Sequence, residues 1–328
     1  FRFQNILPFR QAKKSDPYYS MSILLVSKKR NFSSLESHLR SIDPNLDIEI
    51  WPAVSNPNRV QFAVAWRHPA NLFEQFPNLK VISSLGAGVD HLLGDDTIPE
   101  SIQFTRIVAP SLSGQMADYV LTAVLNIIRK IDQYNDQQRK AIWKPLESLI
   151  KRDIKIGVMG LGEIGSEVAK SLVKNGFTVN GWSKSKKTID GVSCYAEDEL
   201  GSFLNQSNIA VCLLPLTPDT NGILDLELFK ALKKPSFLIN AARGLHLVEE
   251  DLIYALDTDL ISHATLDVFS EEPLPESHPF WGRDKITITP HIASVTDPKE
   301  SAELILENYK RMLSGMDLLH KVNRETGY

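Results

Sequence analysis

Cysteine is almost missing: the chain has two in 328 residues, Cys194 and Cys212. They form no CxxC and no metal-type spacing, so no metal site is expected. So few cysteines suit a reducing, intracellular setting, and a cytoplasmic location is the expectation. Long apolar runs are missing as well. Stretches such as IAVCLLPL are far too short to span a bilayer, so no membrane association is expected. Within that run Cys212 reads as a small core residue. Nor does one sign of charge dominate: 36 Lys and Arg stand against 40 Asp and Glu, a net charge of −4. That balance gives no general pull towards nucleic acid. Internal repeats and low-complexity tracts are absent too.

What remains is the composition of an ordinary soluble protein, 43% hydrophobic and 23% charged, with length for roughly two domains. The first twenty residues, FRFQNILPFRQAKKSDPYYS, are basic and irregular and lack the apolar core of a secretory signal. They read as an upstream extension or cloning scar, and the fold argument starts at Met21. From there short β-rich runs alternate with helical ones. SILLV, LDIEI, FAVAW, KVISSL and IQFTRIV are the strands of the first third, with SSLESHLRSI a helix between the first two. GQMADYVLTAVLNIIRKIDQYNDQQRK reads as one long helix. Then IKIGVM, FTVNGW, AVCLL, SFLIN, HATLDVF and ITITP restart the alternation, and ESAELILENYKRMLSG closes the chain as an amphipathic helix ending at Gly315. Such alternation predicts an α/β fold, with parallel sheets covered by helices on both faces. Two series predict two domains, the first discontinuous, with the long helix and the last helix crossing between them.

In KIGVMGLGEIGSEVAKSLVKNG, Gly160, Gly162 and Gly165 have GxGxxG spacing between a strand and an amphipathic helix. That context predicts a dinucleotide site, because glycines allow a tight turn and let a pyrophosphate approach the amides at a helix N-terminus. Leu161, Glu163 and Ile164 complete the loop. The strand ends at Leu214 and Pro215, and at Ala241 and Ala242, join the expected cofactor set. The second strand runs into GWSKSKK. An acid here would bind the ribose hydroxyls of NAD, but Ser183 stands eighteen residues past Gly165. Lys184 and Ser185 follow it. Hydroxyls and a cation suit a 2′-phosphate, so NADPH is favoured over NADH. Lys186 and Lys187 are expected to face water.

Three later segments end strands at the face where such sheets bind ligands, and they deliver Arg243, Asp267 with Glu272, and His291. A carbonyl that accepts a hydride gains negative charge on oxygen and needs a proton. Histidine supplies one near neutral pH, and a neighbouring carboxylate fixes its ring. Arginine binds a substrate carboxylate through paired hydrogen bonds.

At these residues the sequence resembles the D-isomer-specific 2-hydroxyacid dehydrogenase family. LGAGVDH, GLGEIG, INAARGLHLVEEDLIYAL, LDVFSEEPLPESHPFW and TPHIAS stand in family order. With WKPLES after the long helix, the chain looks most like the glyoxylate/hydroxypyruvate reductase A branch. The resemblance implies a Rossmann cofactor domain at 113–295, inserted into a flavodoxin-like substrate domain at 21–112 plus 296–328. It implies Arg243, Glu272 and His291 as the catalytic trio, and the amides of Ala87 and Gly88 as carboxylate ligands. Asp267 would contact the nicotinamide carboxamide. It implies reduction of a small 2-keto acid to the D-2-hydroxy acid in an interdomain cleft whose closing excludes water. A homodimer, with the long helix at its interface, is implied too. Trp66 and Trp281 are expected as pocket walls and Trp143 as an interface anchor. The same scaffold serves pyruvate and phosphohydroxypyruvate reductases, and the absence of an arginine cluster in the first domain argues against a second substrate phosphate. It also serves corepressors of the C-terminal-binding-protein type.

Overall fold

The computed structural model of the chain describes residues 21–325 and 327. The reading of the first twenty residues falls outside the described residues. Two compact units are present, one ending at Ala109 and resuming at Thr296, the other running from Pro110 to Val295.

The first unit is built on five parallel strands: β1 (Ser22–Ser27), β2 (Ile48–Ile50), β3 (Val60–Trp66), β4 (Val81–Ser84) and β5 (Gln103–Thr105), in the order 2-1-3-4-5. Ile23 to Val26 and Phe62 to Ala65 are completely buried. A parallel strand covered on both faces needs such an unbroken apolar run, which is why FAVAW shows no polar alternation. Helix α1 (Ser33–Ile42) packs against the last helix, Pro298–Leu313. From that last helix Tyr309, fully buried, sets its ring edge on Phe62 with 5.9 Å between centroids. Helix α2 (Asp90–Leu93) is one turn after β4. Strand order reverses direction between β1 and β3, and a crevice opens beyond the carboxyl ends of strands at such a point.

The second unit opens with α3 (Pro110–Arg129) and α4 (Ile131–Arg139). The sequence reads as one helix here, but Lys130 takes a left-handed conformation, φ 54°, and breaks it. The apolar spacing lapses at the same place: α3 buries Met116, Val120, Val124 and Ile127, whereas α4 has no buried residue. Seven parallel strands follow: β6 (Lys155–Met159), β7 (Thr178–Trp182), β8 (Val192–Tyr195), β9 (Ile209–Cys212), β10 (Phe237–Asn240), β11 (His263–Leu266) and β12 (Ile286–Ile288). Their order is 12-11-10-9-6-7-8, with reversal between β6 and β9. This is the strand order of a Rossmann sheet. Strand β8 escapes the sequence pattern because it is an edge strand with no fully buried residue. Helix α5 (Glu163–Lys174) packs on α3, and residues along β9 alternate between the two faces. Ile209 and Val211 join the layer of α3 and α5. Ala210 and Cys212 join the opposite core with α6 (Leu200–Asn205), α7 (Leu226–Ala231) and α8 (Glu249–Asp257). Burial pushes the Cys212 thiol up to about 12, which keeps it inert. The last helix becomes α9 in this numbering.

Candidate active site

The glycine loop follows β6, beside the reversal of strand order. Gly160 has φ +100°, and a side chain there would meet the Leu213 carbonyl oxygen at 2.7 Å. Any β-carbon at Gly165 would fall 1.7 Å from the Gly160 oxygen, so only glycine lets α5 start this close to the strand. Gly162 differs: nothing lies within 4 Å of the position a β-carbon would take. Its missing side chain leaves open space over the N-terminus of α5, where backbone N–H groups and the helix dipole favour an anion. Leu161 is buried, Glu163 is exposed and Ile164 is half-buried in this loop. A dinucleotide pyrophosphate fits this geometry.

At the end of β7, Ser183 is buried and its amide donates to the Tyr195 oxygen. Its hydroxyl donates to the Ser185 carbonyl at 2.9 Å, so it has to rotate to meet a phosphate. Lys184 is exposed, with its Nζ 3.9 Å from Asp219, an acid on the loop after β9 that motif reading missed. Lys186 was expected simply to face water; instead it pairs with Glu199 at 3.3 Å, although both remain accessible. Lys187 is exposed. Of the β9 and β10 ends, Leu214, Ala241 and Ala242 are buried and Pro215 is exposed.

Glu272 and His291 meet at 2.8 Å through Oε2 and Nδ1. Nδ1 therefore donates to the carboxylate, and Nε2 is left for proton exchange. The other oxygen of Glu272 accepts from the Phe269 amide at 3.1 Å. His291 itself has φ 57°, a left-handed conformation that the surrounding bonds must hold. Asp267 supplies much of that hold. It is 1% exposed, and its Oδ1 accepts from the Thr289 hydroxyl and the Ile292 amide while Oδ2 accepts from Ala293. The resemblance gives Asp267 a nicotinamide contact; its carboxylate is also engaged by the loop that carries His291. Thr289 is held in turn by the Tyr119 hydroxyl at 2.7 Å, from α3. Burial pushes that phenol up to about 12, so it stays protonated. No motif links Tyr119 to Thr289, which are 170 residues apart, so only the fold reveals the pair.

Arg243 follows β10, half-buried, with Nη1 donating to the Ala242 oxygen at 2.7 Å. Gly244 brings its loop against the next one, since a β-carbon there would sit 1.8 Å from the Phe269 carbonyl carbon. Asn240 and His246, both buried and both unremarked in the sequence, bond to the backbone around Arg243. Trp281 is 54% exposed, with its indole N–H donating to the Pro275 oxygen. Trp143 is 99% exposed on the segment after α4.

In the first unit, the Ser84 hydroxyl closes the turn after β4, accepting from Gly86 and donating to Gly88. Among the described residues, the amides of Ala87 and Gly88 have no hydrogen-bond partner. Trp66 lies against this turn: a β-carbon at Gly86 would meet its ring at 2.7 Å. The Arg30 guanidinium sits over Trp66 at 4.5 Å from the centroid. Sheltered there although the residue as a whole is exposed, it has its pKa lowered by burial and by the nearby charge of Arg67. The sequence suggested no arginine cluster in this unit. The fold brings two, Arg30 and Arg67, close enough to influence each other at the reversal between β1 and β3.

Among the described residues no group of acids, histidines and cysteines could hold a metal, and no helix is long and apolar enough to cross a membrane. Residues 121–293 match the family described as D-isomer specific 2-hydroxyacid dehydrogenase, NAD binding domain. Glyoxylate/hydroxypyruvate reductase A of Photorhabdus laumondii is 41% identical over 87% of this chain and 93% of its own. The crystal structure of a D-isomer specific 2-hydroxyacid dehydrogenase from Xanthobacter autotrophicus Py2, in complex with NADPH and MES, aligns with a TM-score of 0.89 at 38% identity, covering 94% of this chain and 100% of that one. An NADPH-dependent glyoxylate/hydroxypyruvate reductase from Sinorhizobium meliloti, in complex with NADP and sulfate, aligns with a TM-score of 0.88 at 34% identity and the same coverage.

Proposed function

The chain belongs to the D-isomer specific 2-hydroxyacid dehydrogenase family, and on that premise we propose that it reduces glyoxylate and hydroxypyruvate with NADPH, giving glycolate and D-glycerate. The observation that carries this reading is the Glu272–His291 pair at 2.8 Å, on the same sheet edge as a glycine loop whose neighbouring strand ends in Ser183 and Lys184. Bound NADPH supplies a hydride to the carbonyl carbon. Every other part of the reaction falls to the chain. His291 gives a proton from Nε2 to the carbonyl oxygen, while Glu272 holds Nδ1–H and keeps the ring turned. Arg243 pairs with the substrate carboxylate and polarises the carbonyl. In the first unit the amides of Ala87 and Gly88 suit a carboxylate, with Trp66 as an apolar wall beside their turn; in the second unit Trp281 is a further apolar wall. Asp267 acts by fixing the loop that carries His291.

Lys184 and the hydroxyls of Ser183 and Ser185 take the 2′-phosphate of the coenzyme. The fully exposed Trp143 supports a homodimer in which it packs on the second copy. One observation favours a broader substrate range: Arg30 over Trp66, with the charge of Arg67 nearby, suits a keto acid with a second anionic group. The test is NADPH oxidation by purified protein with a panel of short 2-keto acids. Glyoxylate and hydroxypyruvate should give the highest kcat/KM. No oxidation with any of them would overturn the reading, and a rate highest with a phosphorylated or dicarboxylic keto acid would select the broader one.

A further inference from the structure

The imidazole of His246 is fully buried between two loops that the proposed reaction uses for different ligands. Its Nε2 lies 3.2 Å from the carbonyl oxygen of Pro215, on the coenzyme side. Its Nδ1 lies 3.2 Å from both the backbone nitrogen and the carbonyl oxygen of Arg243, on the substrate side. Nδ1 has a donor within reach, the Arg243 N–H, whereas Nε2 faces only a carbonyl, so in a neutral ring Nε2 carries the hydrogen and Nδ1 accepts from Arg243. The Pro215 oxygen accepts a second bond from the Thr220 hydroxyl at 2.7 Å. On the other side, the Arg243 oxygen accepts from the Asn240 amide at 3.0 Å. Arg243 is thus gripped on both sides of its α-carbon, by a side chain at each peptide group.

Packing alone does not account for a histidine here. His246 stands between Leu245 and Leu247 in a site with no solvent access, where an apolar side chain would avoid desolvating a polar ring. What the ring adds is polar contact with the backbone of Pro215 on one side and of Arg243 on the other. We propose that His246 is a positioning residue, a rigid strut that couples coenzyme contact at Leu214 and Pro215 to the direction of the Arg243 guanidinium. Pro215 is exposed and able to meet a ligand, whereas the ring behind it is enclosed and planar. Displacement at Pro215 is therefore passed to the Arg243 amide rather than absorbed. This inference rests on the proposed function for the roles of the two loops.

Three substitutions separate the two bonds. His246→Leu removes both, His246→Gln keeps a donor near the Nε2 position, and His246→Asn keeps an acceptor near Nδ1. The readouts are the Kd for NADPH without substrate, by fluorescence, and the KM for glyoxylate, with rates normalised to the number of NADPH-binding sites. In His246→Leu both constants should rise by about ten-fold, the size of one buried hydrogen bond lost with its partner left unpaired. Gln should restore the NADPH Kd but not the KM, and Asn the KM but not the Kd. A merely structural role would lower the melting temperature and the number of binding sites while leaving both constants unchanged. Constants within roughly two-fold of wild type in His246→Leu, or Gln and Asn variants that both behave like Leu, would overturn the coupling. A wild type that binds NADPH but reduces no keto acid would sink the functional reading alone, and the Leu–Gln difference in Kd would still decide the coenzyme side. A wild type that binds no NADPH would overturn both.

Discussion

In the proposed reaction His291 carries the heaviest chemical load of any single residue, and its supports are unequal. Glu272 touches it directly, whereas Asp267, Thr289 and Tyr119 act on the backbone around it. Removing the ring should therefore differ from loosening its loop. His291→Gln should lower kcat by about 10²–10⁴ with the NADPH Kd unchanged, because the ring is assigned no part in holding the coenzyme. Tyr119→Phe should leave Thr289 bonded to Asp267 and lower kcat far less. A His291→Gln enzyme with wild-type turnover would remove it as the acid. The Glu272–His291 pair was legible in the sequence because each of the two sits in a short motif that follows a strand end. His246 and Asn240 were not, since a histidine between two leucines and an asparagine closing a strand carry no signal until their partners fold beside them.

The glycine loop is the clearest case of one element doing three jobs, and its glycines make opposite predictions. Gly165→Ala would drive a β-carbon into the Gly160 carbonyl and should lower the melting temperature strongly. Gly162→Ala meets nothing in the protein, so it should keep the wild-type melting temperature while weakening NADPH binding. Equal effects on stability would contradict this division of roles. At the opposite edge of the same sheet, His263 begins β11 and bonds to Thr287, with Asp132 at 3.4 Å. Burial, partly opposed by Asp132, lowers its pKa below 6.5 in the folded state. A depressed folded value means that the unfolded chain binds the proton first as pH falls. The stability this site contributes is therefore complete above about 6.5 and is lost as pH drops towards the folded value. His263→Gln should lose less melting temperature than wild type over that acid window, as seen in thermal melts at stepped pH. Most elements were legible because buried parallel strands read as short apolar runs. The misses, the break at Lys130 and edge strand β8, lie where little is buried and apolar pattern fades.

For the whole molecule, the two strand orders explain why chemistry gathers where it does. Each sheet reverses once, and each reversal carries ligand-type residues: the glycine loop and Pro215 in one unit, Trp66 with Arg30 and Arg67 in the other. The motifs gave the first of these away, but the arginines needed the fold, because Arg30 and Arg67 become neighbours only when β1 and β3 pair. The exposed Trp143 bears on assembly. For the proposed homodimer, Trp143→Ala should shift the protein from dimer towards monomer in sedimentation velocity, and a variant with the oligomeric state of wild type would remove this side chain from an interface. The central claim, a keto-acid reductase built for NADPH, is tested most directly by the ratio of kcat/KM for NADPH to that for NADH with glyoxylate. The proposed phosphate contacts are charge-assisted and would be worth roughly 1.5–3 kcal/mol each, or about ten- to a hundred-fold. The account predicts a wild-type ratio well above one, carried mainly by the Michaelis constant of the coenzyme, and a reversed ratio in Ser183→Asp. A wild-type ratio at or below one, or no coenzyme oxidation with glyoxylate at all, would contradict it.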